Sequence, residues 1–247
     1  MKNQYFGDIN DFRKYIILSA ISQQTGFPIC FVWMLTPNDG SPDGEKREYL
    51  DFSAQWRPLN RAMFDFLEKH NVPPDQRSVA VMQQAPGFRD ATFVNAMLSR
   101  NPLEQAAYFA QVRDVAGPKD VLFFDPDNGS EAPSVPRCHR KSNKHLYWQD
   151  LCPLYAAGHS VIIYQHFPHI THNTFTRQTM QALETRLKPS TAFSIRTTHV
   201  LFLVAAQPAH AGKIHAALDH TFNRDSQLNT DNTFEFHDEV LTRKPSS

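Results

Sequence analysis

Residues 121–131 read VLFFDPDNGSE: four apolar residues run straight into two acids that bracket a proline, followed by an amide, a glycine and a third acid. An uninterrupted apolar run of this kind, closed by turn residues, marks a strand buried on both faces. Pro126 fixes its own φ and drives Asp125 toward extended geometry, so the Asp125 carboxylate leaves along the strand axis. Asn128 and Gly129 then permit a tight turn with positive φ. In open α/β sheets ligands bind beyond the carboxyl ends of the strands, so Asp125 stands where chemistry is usually placed. Read as structure alone, the same residues make an Asx-type turn that caps a strand.

The flanking sequence repeats the strand pattern. FPICFVWML (27–35), SVAVMQQ (78–84) and SVIIYQH (160–166) read as strands, and TAFSIRTTHVLFLVAA (191–206) as two strands turning near Thr197-Thr198. Helical spacing covers 12–23, stopped by Gly26, and 57–70, where Leu59, Met63, Phe66 and Leu67 share a face. Residues 87–116 read as a helix pair interrupted at Pro102, and further helices are expected up to Gly158, over 174–187 and over 208–223. The closing RKPSS reads as a frayed tail. Alternating helices and apolar strands predict an α/β fold: a three-layer, Rossmann-like sheet, mostly parallel, with an antiparallel C-terminal hairpin. No linker or internal repeat divides the chain, so 1–247 is expected to be one domain.

Composition narrows the function. The 247 residues are 41% hydrophobic and 12% aromatic, enough for a real core. Lys and Arg number 25, as do Asp and Glu, so there is no global field for a polyanion and nucleic-acid binding would need a local basic patch. Cys30, Cys138 and Cys152 show no CxxC spacing and leave one over, which favours a reducing compartment. The N-terminus, MKNQYFGDIND, is polar, and no stretch approaches the roughly 20 apolar residues that span a bilayer. A cytoplasmic protein with no membrane association is therefore expected.

Three chemistries use a junction such as Asp125-Pro126-Asp127-Asn128. A carboxylate and a neighbouring carbonyl can accept hydrogen bonds from a substrate amino group. Paired carboxylates can ligate Mg²⁺. Asp125 can act as nucleophile or base toward a phosphoryl or glycosyl group. The spelling resembles the D-P-P-Y of amino-methyltransferases, the first motif of haloacid-dehalogenase-type phosphatases and the D-x-D of nucleotide-sugar transferases.

A second motif, YFGDINDFRKY (5–15), gathers Gly7, Asp8, Asp11, Arg13 and Lys14 where a helix begins. Asp8 or Asn10 can cap that helix, and acids in its first turn suit the dipole. The spacing G-D-x-x-D-x-x-K is similar to the G-N-x-x-D-x-x-K of the Rossmann-fold adenine-N6 methyltransferases acting on 23S ribosomal RNA. The resemblance implies that Gly7, Asp8, Asp11 and Lys14 lie against an S-adenosylmethionine (SAM) site and that Asp125, Asp127 and Asn128 stand in the catalytic motif. The chain departs from that pattern in two places. No G-x-G follows the first strand, and Asp127 and Asn128 replace the second proline and the aromatic residue of D-P-P-Y. YFGDINDFRKY, DPDNG and YQH together also resemble a family of uncharacterised bacterial proteins.

Around the junction, RCHRKSNKH (137–145) places Arg137, Arg140, Lys141 and Lys144 together, with His139 and His145, as candidate ligands for phosphate; otherwise the run is a solvated face. Tyr147 and Trp148 offer an aromatic platform. YQHFPHITH (164–172) leaves Gln165 and His166 at a strand end, with His169 and His172 beyond; His166 is the candidate general base. The histidines have no zinc-binding spacing, so no metal ligands are assigned, and His215 and His220 are expected at the surface. Arg89, Asp39 and Asp43 are further pocket candidates, the two acids doubling as turn residues.

The expected function is an enzyme resembling SAM-dependent amino-methyltransferases acting on a nucleotide or nucleic acid. One alternative is a Mg²⁺-dependent phosphoryl- or glycosyl-transfer enzyme, nuclease- or phosphatase-like, with Asp125, Asp127 and Glu131 around the metal. A further alternative, argued from the missing glycine turn, is a non-catalytic binding protein on a degenerate methyltransferase scaffold.

Overall fold

A computed structural model describes residues 1–168 and 170–222 and the backbone of 235–237. The strands are β1 (Ile29–Val32), β2 (Thr92–Val94), β3 (Val121–Phe124), β4 (Ser160–His166), β5 (Thr191–Arg196), β6 (Val200–Ala206) and β7 (Glu235–His237). They form one mixed sheet in the order β2-β1-β3-β4-β6-β5-β7. The β2–β1–β3–β4 pairings are parallel, and those of β6 with β4, β5 with β6 and β7 with β5 are antiparallel. The α/β class and the mostly parallel sheet with an antiparallel end match expectation.

The helices are α1 (Ile9–Thr25), α2 (Ser53–Trp56), α3 (Arg61–Lys69), α4 (Pro102–Val115), α5 (Trp148–Ala156), α6 (His172–Leu187) and α7 (Pro208–Phe222). Successive strand residues point to opposite faces, and each face builds its own core. Phe31, Trp33, Phe123, Ile162 and Phe202 pack with α1, α3 and α7. Cys30, Val32, Leu122, Phe124 and Ile163 pack with α4, α5 and α6. Because both faces are covered, the central strands carry no polar alternation.

Two elements differ from expectation. Residues 78–84 are not a strand: Val79–Gln84 forms a 3₁₀ helix, started by the Ser78 side chain accepting from Ala80 N at 3.2 Å. Val79 and Met82, three apart, are its buried residues, which is helical rather than alternating burial. The missing strand lies inside the segment read as the first helix of the 87–116 pair. Gly87 and Asp90 take φ of 88° and 53° and interrupt helical geometry, and Phe93 stacks on Phe31 at 4.9 Å, fastening β2 to β1. The 57–70 helix is divided by Asn60, which caps α3 by accepting from Met63 N at 3.1 Å. β1 stops before Leu35 because Met34 adopts φ 48°.

Among the described residues no helix is long and apolar enough to cross a membrane. The RKPSS tail and His169 lie outside the described residues.

Phe31 is fully buried and meets Trp33, Phe88, Phe93 and Phe123 at 4.9–6.0 Å between ring centroids. Phe31→Ala is expected to cost about 3–5 kcal/mol in denaturant-monitored unfolding stability.

Candidate functional site

The carboxyl ends of β1, β3 and β4 meet at one edge of the sheet, and the N-terminus of α1 is docked against them. Asp8 starts α1 by accepting from Asp11 N at 2.9 Å, and Gly26, at φ 72°, ends it. Asp125 N donates to Val32 O at 3.1 Å, continuing the ladder one residue past β3.

Lys14 joins the two sequence motifs. Its Nζ lies 2.6 Å from Asp11 Oδ1 and 2.5 Å from Asp125 Oδ2, and all three side chains are at most 3% exposed. The ammonium also sits 4.7 Å from the Tyr164 ring centroid, with Tyr15, Trp33 and Phe123 within 6 Å. Burial alone would lower the Lys14 pKa, but the two carboxylates override it and raise it well above the ordinary range. Gly7 N donates to Asp11 Oδ2 at 2.9 Å, Gly7 O accepts from Tyr49 OH at 3.1 Å, and Arg47 covers the glycine. Gly7, Asp11 and Lys14 therefore hold α1 in place, and Asp8 alone of that set opens onto the main cleft.

That cleft has a volume of about 780 Å³. Asp127, Asn128, Lys144 and His166 line it on the sheet side, Asp8 and Asn10 line it from α1, and loop residues 39–48 form the opposite wall. A chamber of about 40 Å³ lies beneath it, lined by Asp8, Asp11, Lys14, Asp125, Tyr164 and His166 among others. Asp125 faces this chamber and Asp127 faces both spaces.

Asp127 lies 2.7 Å from the Met1 amino group, accepts from Thr36 Oγ1 at 2.6 Å and lies 3.5 Å from Lys144 Nζ. Burial works to raise its pKa, but the Met1 ammonium, Thr36 and Lys2 hold it below the ordinary value. Asn128 Nδ2 donates to His145 Nε2 at 3.3 Å, while His145 Nδ1 donates to Ser130 O at 3.0 Å. This pattern fixes a neutral imidazole, and burial first, then His139 and Lys141, lowers its pKa. Residues 128–131 are strapped to 144–146 through Asn128 N to Lys144 O (2.8 Å), Leu146 N to Gly129 O (3.0 Å) and Glu131 N to Leu146 O (2.8 Å).

Gln165, buried at the end of β4, accepts from Ser130 N at 2.7 Å through Oε1. His166 is exposed at the end of β4 and opens onto the cleft, and desolvation first, then Lys14 and the Met1 ammonium, lower its pKa despite Asp125 and Asp127. The imidazole is therefore neutral near pH 7 and able to accept a proton. Asp8 is raised to about 7, first by burial and then by the Asp11 charge, against the Asp11 and Asn10 backbone N–H groups and Lys14.

The rest of the basic loop does not reach the cleft. Arg137 pairs with Asp150 at 2.6 Å, and Arg140 and Lys141 are exposed beyond the lining. Tyr147 and Trp148 are not a surface platform. Both are buried, Tyr147 donating to Val135 O at 3.0 Å and Trp148 packing in the second core. Arg89 is exposed and outside the cleft. Asp125, Asp127 and Glu131 have separate partners, Glu131 accepting from Trp148 N at 3.1 Å. Among the described residues no three His, Cys, Asp or Glu side chains gather as a metal site. Lys2, Tyr5, Lys46 and His199 line the cleft without having been singled out from the sequence. Two of them carried a visible signal: Lys46, inside the GEKRE charge cluster (44–48), and Tyr5, which opens the 5–15 motif.

Comparison with family models, curated proteins and solved structures returns no match for this chain.

Gly129 has φ 89°, and a Cβ there would collide with the Gln165 side-chain amide. Gly129→Ala should lower stability by about 1–3 kcal/mol in thermal or chemical unfolding, with further loss of ligand binding at the cleft. The Asp8 carboxyl holds its proton to about pH 7 in the folded chain, whereas the unfolded chain releases it near the ordinary aspartate value of 3.8. Its contribution to stability is thus complete below about pH 4 and is lost as pH rises through about 7. Asp8→Asn keeps the helix cap. It should match the parent at pH 4 and exceed it by roughly 1–2 kcal/mol at pH 8 in urea titrations, screening taken into account.

Proposed function

We propose that this protein is an enzyme of the SAM-dependent amino-methyltransferase kind, acting on a nucleotide or nucleic acid in the 780 Å³ cleft. The observation that carries the reading is the strand order β2-β1-β3-β4-β6-β5-β7, in which β6, set between β4 and β5, runs against both, and β7 is added antiparallel at the edge. An antiparallel strand inserted at that end of a parallel sheet resembles the arrangement of Rossmann-like methyltransferases and supports the reading, as does the acidic-proline junction at the end of β3, beside the N-terminal motif.

The residues fit SAM in one place and not in another. The crevice between the ends of β1 and β3 is filled by Met1, 3% exposed, whose amino group donates to Asp125 O at 2.9 Å. The adjoining cleft has the room. Tyr5 and Phe167 give it apolar surface, and Asp39 and Asp127 line it as carboxylates that Lys2, the Met1 amino group and Lys144 hold in place. Bound there, SAM supplies an electrophilic methyl group. Asp127 and Asn128 orient the substrate amino group from a turn held rigid by Thr36, His145 and Gln165. His166, neutral at pH 7, takes the proton that the nitrogen loses on alkylation. Asp125 acts as a positioning residue, holding the junction through Lys14.

Calorimetric titration should give saturable SAM binding, and labelled methyl should pass to a nucleotide acceptor. His166→Ala should lower the transfer rate on the order of 100-fold or more and leave SAM affinity unchanged. No SAM binding at millimolar concentration would overturn this reading.

A further inference from the structure

Arg13, in the second turn of α1, is 9% exposed and makes no hydrogen bond or ion pair among the described residues. Its guanidinium stacks over Trp56 at 5.6 Å, and its Nε is buried without a partner. A buried cation normally comes with a carboxylate, because an unpaired charge away from water is costly. Lys14, the next residue, has two. Arg13 has none.

Burial lowers the pKa of Arg13 and outweighs Tyr164 and Asp8, which favour its charge only from a distance. Asn10, one turn before it on α1, lines the cleft with an Oδ1 that is also buried and unpartnered. Lys46 and His199 line the same end, and Lys46 forms no ion pair among the described residues. The electrostatic influence of both Lys46 and Arg13 reaches His199, where it adds to desolvation in lowering the histidine's pKa. The turn that carries His199 is fixed: Thr197 N donates to Val200 O at 2.9 Å, and Thr197 Oγ1 accepts from His199 N and Val200 N at 3.2 Å. The cleft thus carries Asp39 and Asp127 with Lys2, and, in the corner between α1 and the β5–β6 turn, a basic group of Lys46, His199 and Arg13 in which Arg13 has no direct carboxylate partner, although Asp8, Glu45 and Glu48 also line the cleft.

We infer that this corner, Lys46 and His199 at the cleft surface with Arg13 behind them, binds the phosphate of a small nucleotide. The inference rests on the proposed function only in taking the cleft as the active site. It narrows the substrate class to a nucleoside monophosphate, because Arg137, Arg140 and Lys141, which would follow a longer backbone, lie outside the cleft. A dianionic phosphate supplies the charge that Arg13 lacks and accepts hydrogen bonds from Lys46 and His199.

The test is titration of the full chain with inorganic phosphate, a nucleoside 5′-monophosphate, the matching nucleoside and a single-stranded oligonucleotide, followed by NMR or calorimetry. The monophosphate should bind at least 10-fold more tightly than the nucleoside, and Lys46→Glu and His199→Ala, both at exposed positions, should each remove most of that difference. Arg13→Lys should retain part of the difference and Arg13→Gln should lose it, with far-UV circular dichroism confirming that both fold. Equal affinity for nucleotide and nucleoside, or phosphate binding insensitive to Lys46→Glu and His199→Ala, would overturn the inference. So would an oligonucleotide preference that depends on Arg140 and Lys141. SAM titration runs in parallel: loss of SAM binding with phosphate binding intact rejects methyl transfer alone, and the converse rejects the phosphate corner alone.

Discussion

The contact on which the rest of the site depends is the ion pair of Lys14 with Asp125, formed between residues 111 positions apart. An ammonium shut inside a hydrophobic layer must be neutralised nearby, and Asp11, one turn back on the same helix, is not sufficient alone because Asp125 is equally buried. The three groups can be satisfied together in only one arrangement of α1 against β3. That arrangement sets the height of the helix on the sheet edge, and so puts Asp8 and Asn10 at the cleft while Phe12, Tyr15 and Ile16 enter the core. A wholly apolar contact would hold the layers together equally well but would tolerate sliding. A charged triad among four aromatic rings does not.

A second constraint, perpendicular to the first, aligns β3 with β4. Gly129 has no side chain because the Gln165 amide occupies the space where one would go, and that amide satisfies Ser130 N. The turn after β3 is therefore gripped from α1 through Asp125, from β4 through Gln165 and from the 144–146 segment through three backbone hydrogen bonds. Asp127 and Asn128 protrude from a turn that has no freedom of its own. Such rigidity is what a binding or catalytic constellation requires.

Much of this was legible in the sequence because the signals were local. The apolar runs at 121–124, 160–166 and 200–206 can be nothing but buried strands, and the GDINDFRKY and DPDNG motifs do meet at one sheet edge. What was not legible depended on tertiary partners. Thr92–Val94 is too short to show a period, and it becomes a strand through Phe93 stacking on Phe31. Val79–Gln84 has strand-like composition, but Ser78 caps it and burial falls at every third residue. The basic loop read as one patch, yet Asp150 takes Arg137, His145 is buried, and of its Lys and Arg residues Lys144 alone lines the cleft. A charge run records composition, whereas the direction of each side chain is decided by what packs beneath it.

The end of β1 explains why the cleft lies where it does. Where a glycine-rich turn would leave an open crevice, Met34 adopts φ 48° with its N–H donating to Tyr108 OH at 3.0 Å, a costly conformation for a side chain of that size. Trp33, Met34 and Leu35 are all buried, and Met1 fills the gap toward Asp125. With that crevice occupied, the large cleft lies further out, over the N-terminus of α1. There the walls come from the 39–48 loop and the β5–β6 turn instead of the central strand ends. Among the residues of those walls are Lys46 and His199, whose positions are fixed by Ile9 N donating to Lys46 O at 2.9 Å and by the Thr197 turn. The fold supplies a rigid floor, and the loops supply the polar and charged side chains that face it.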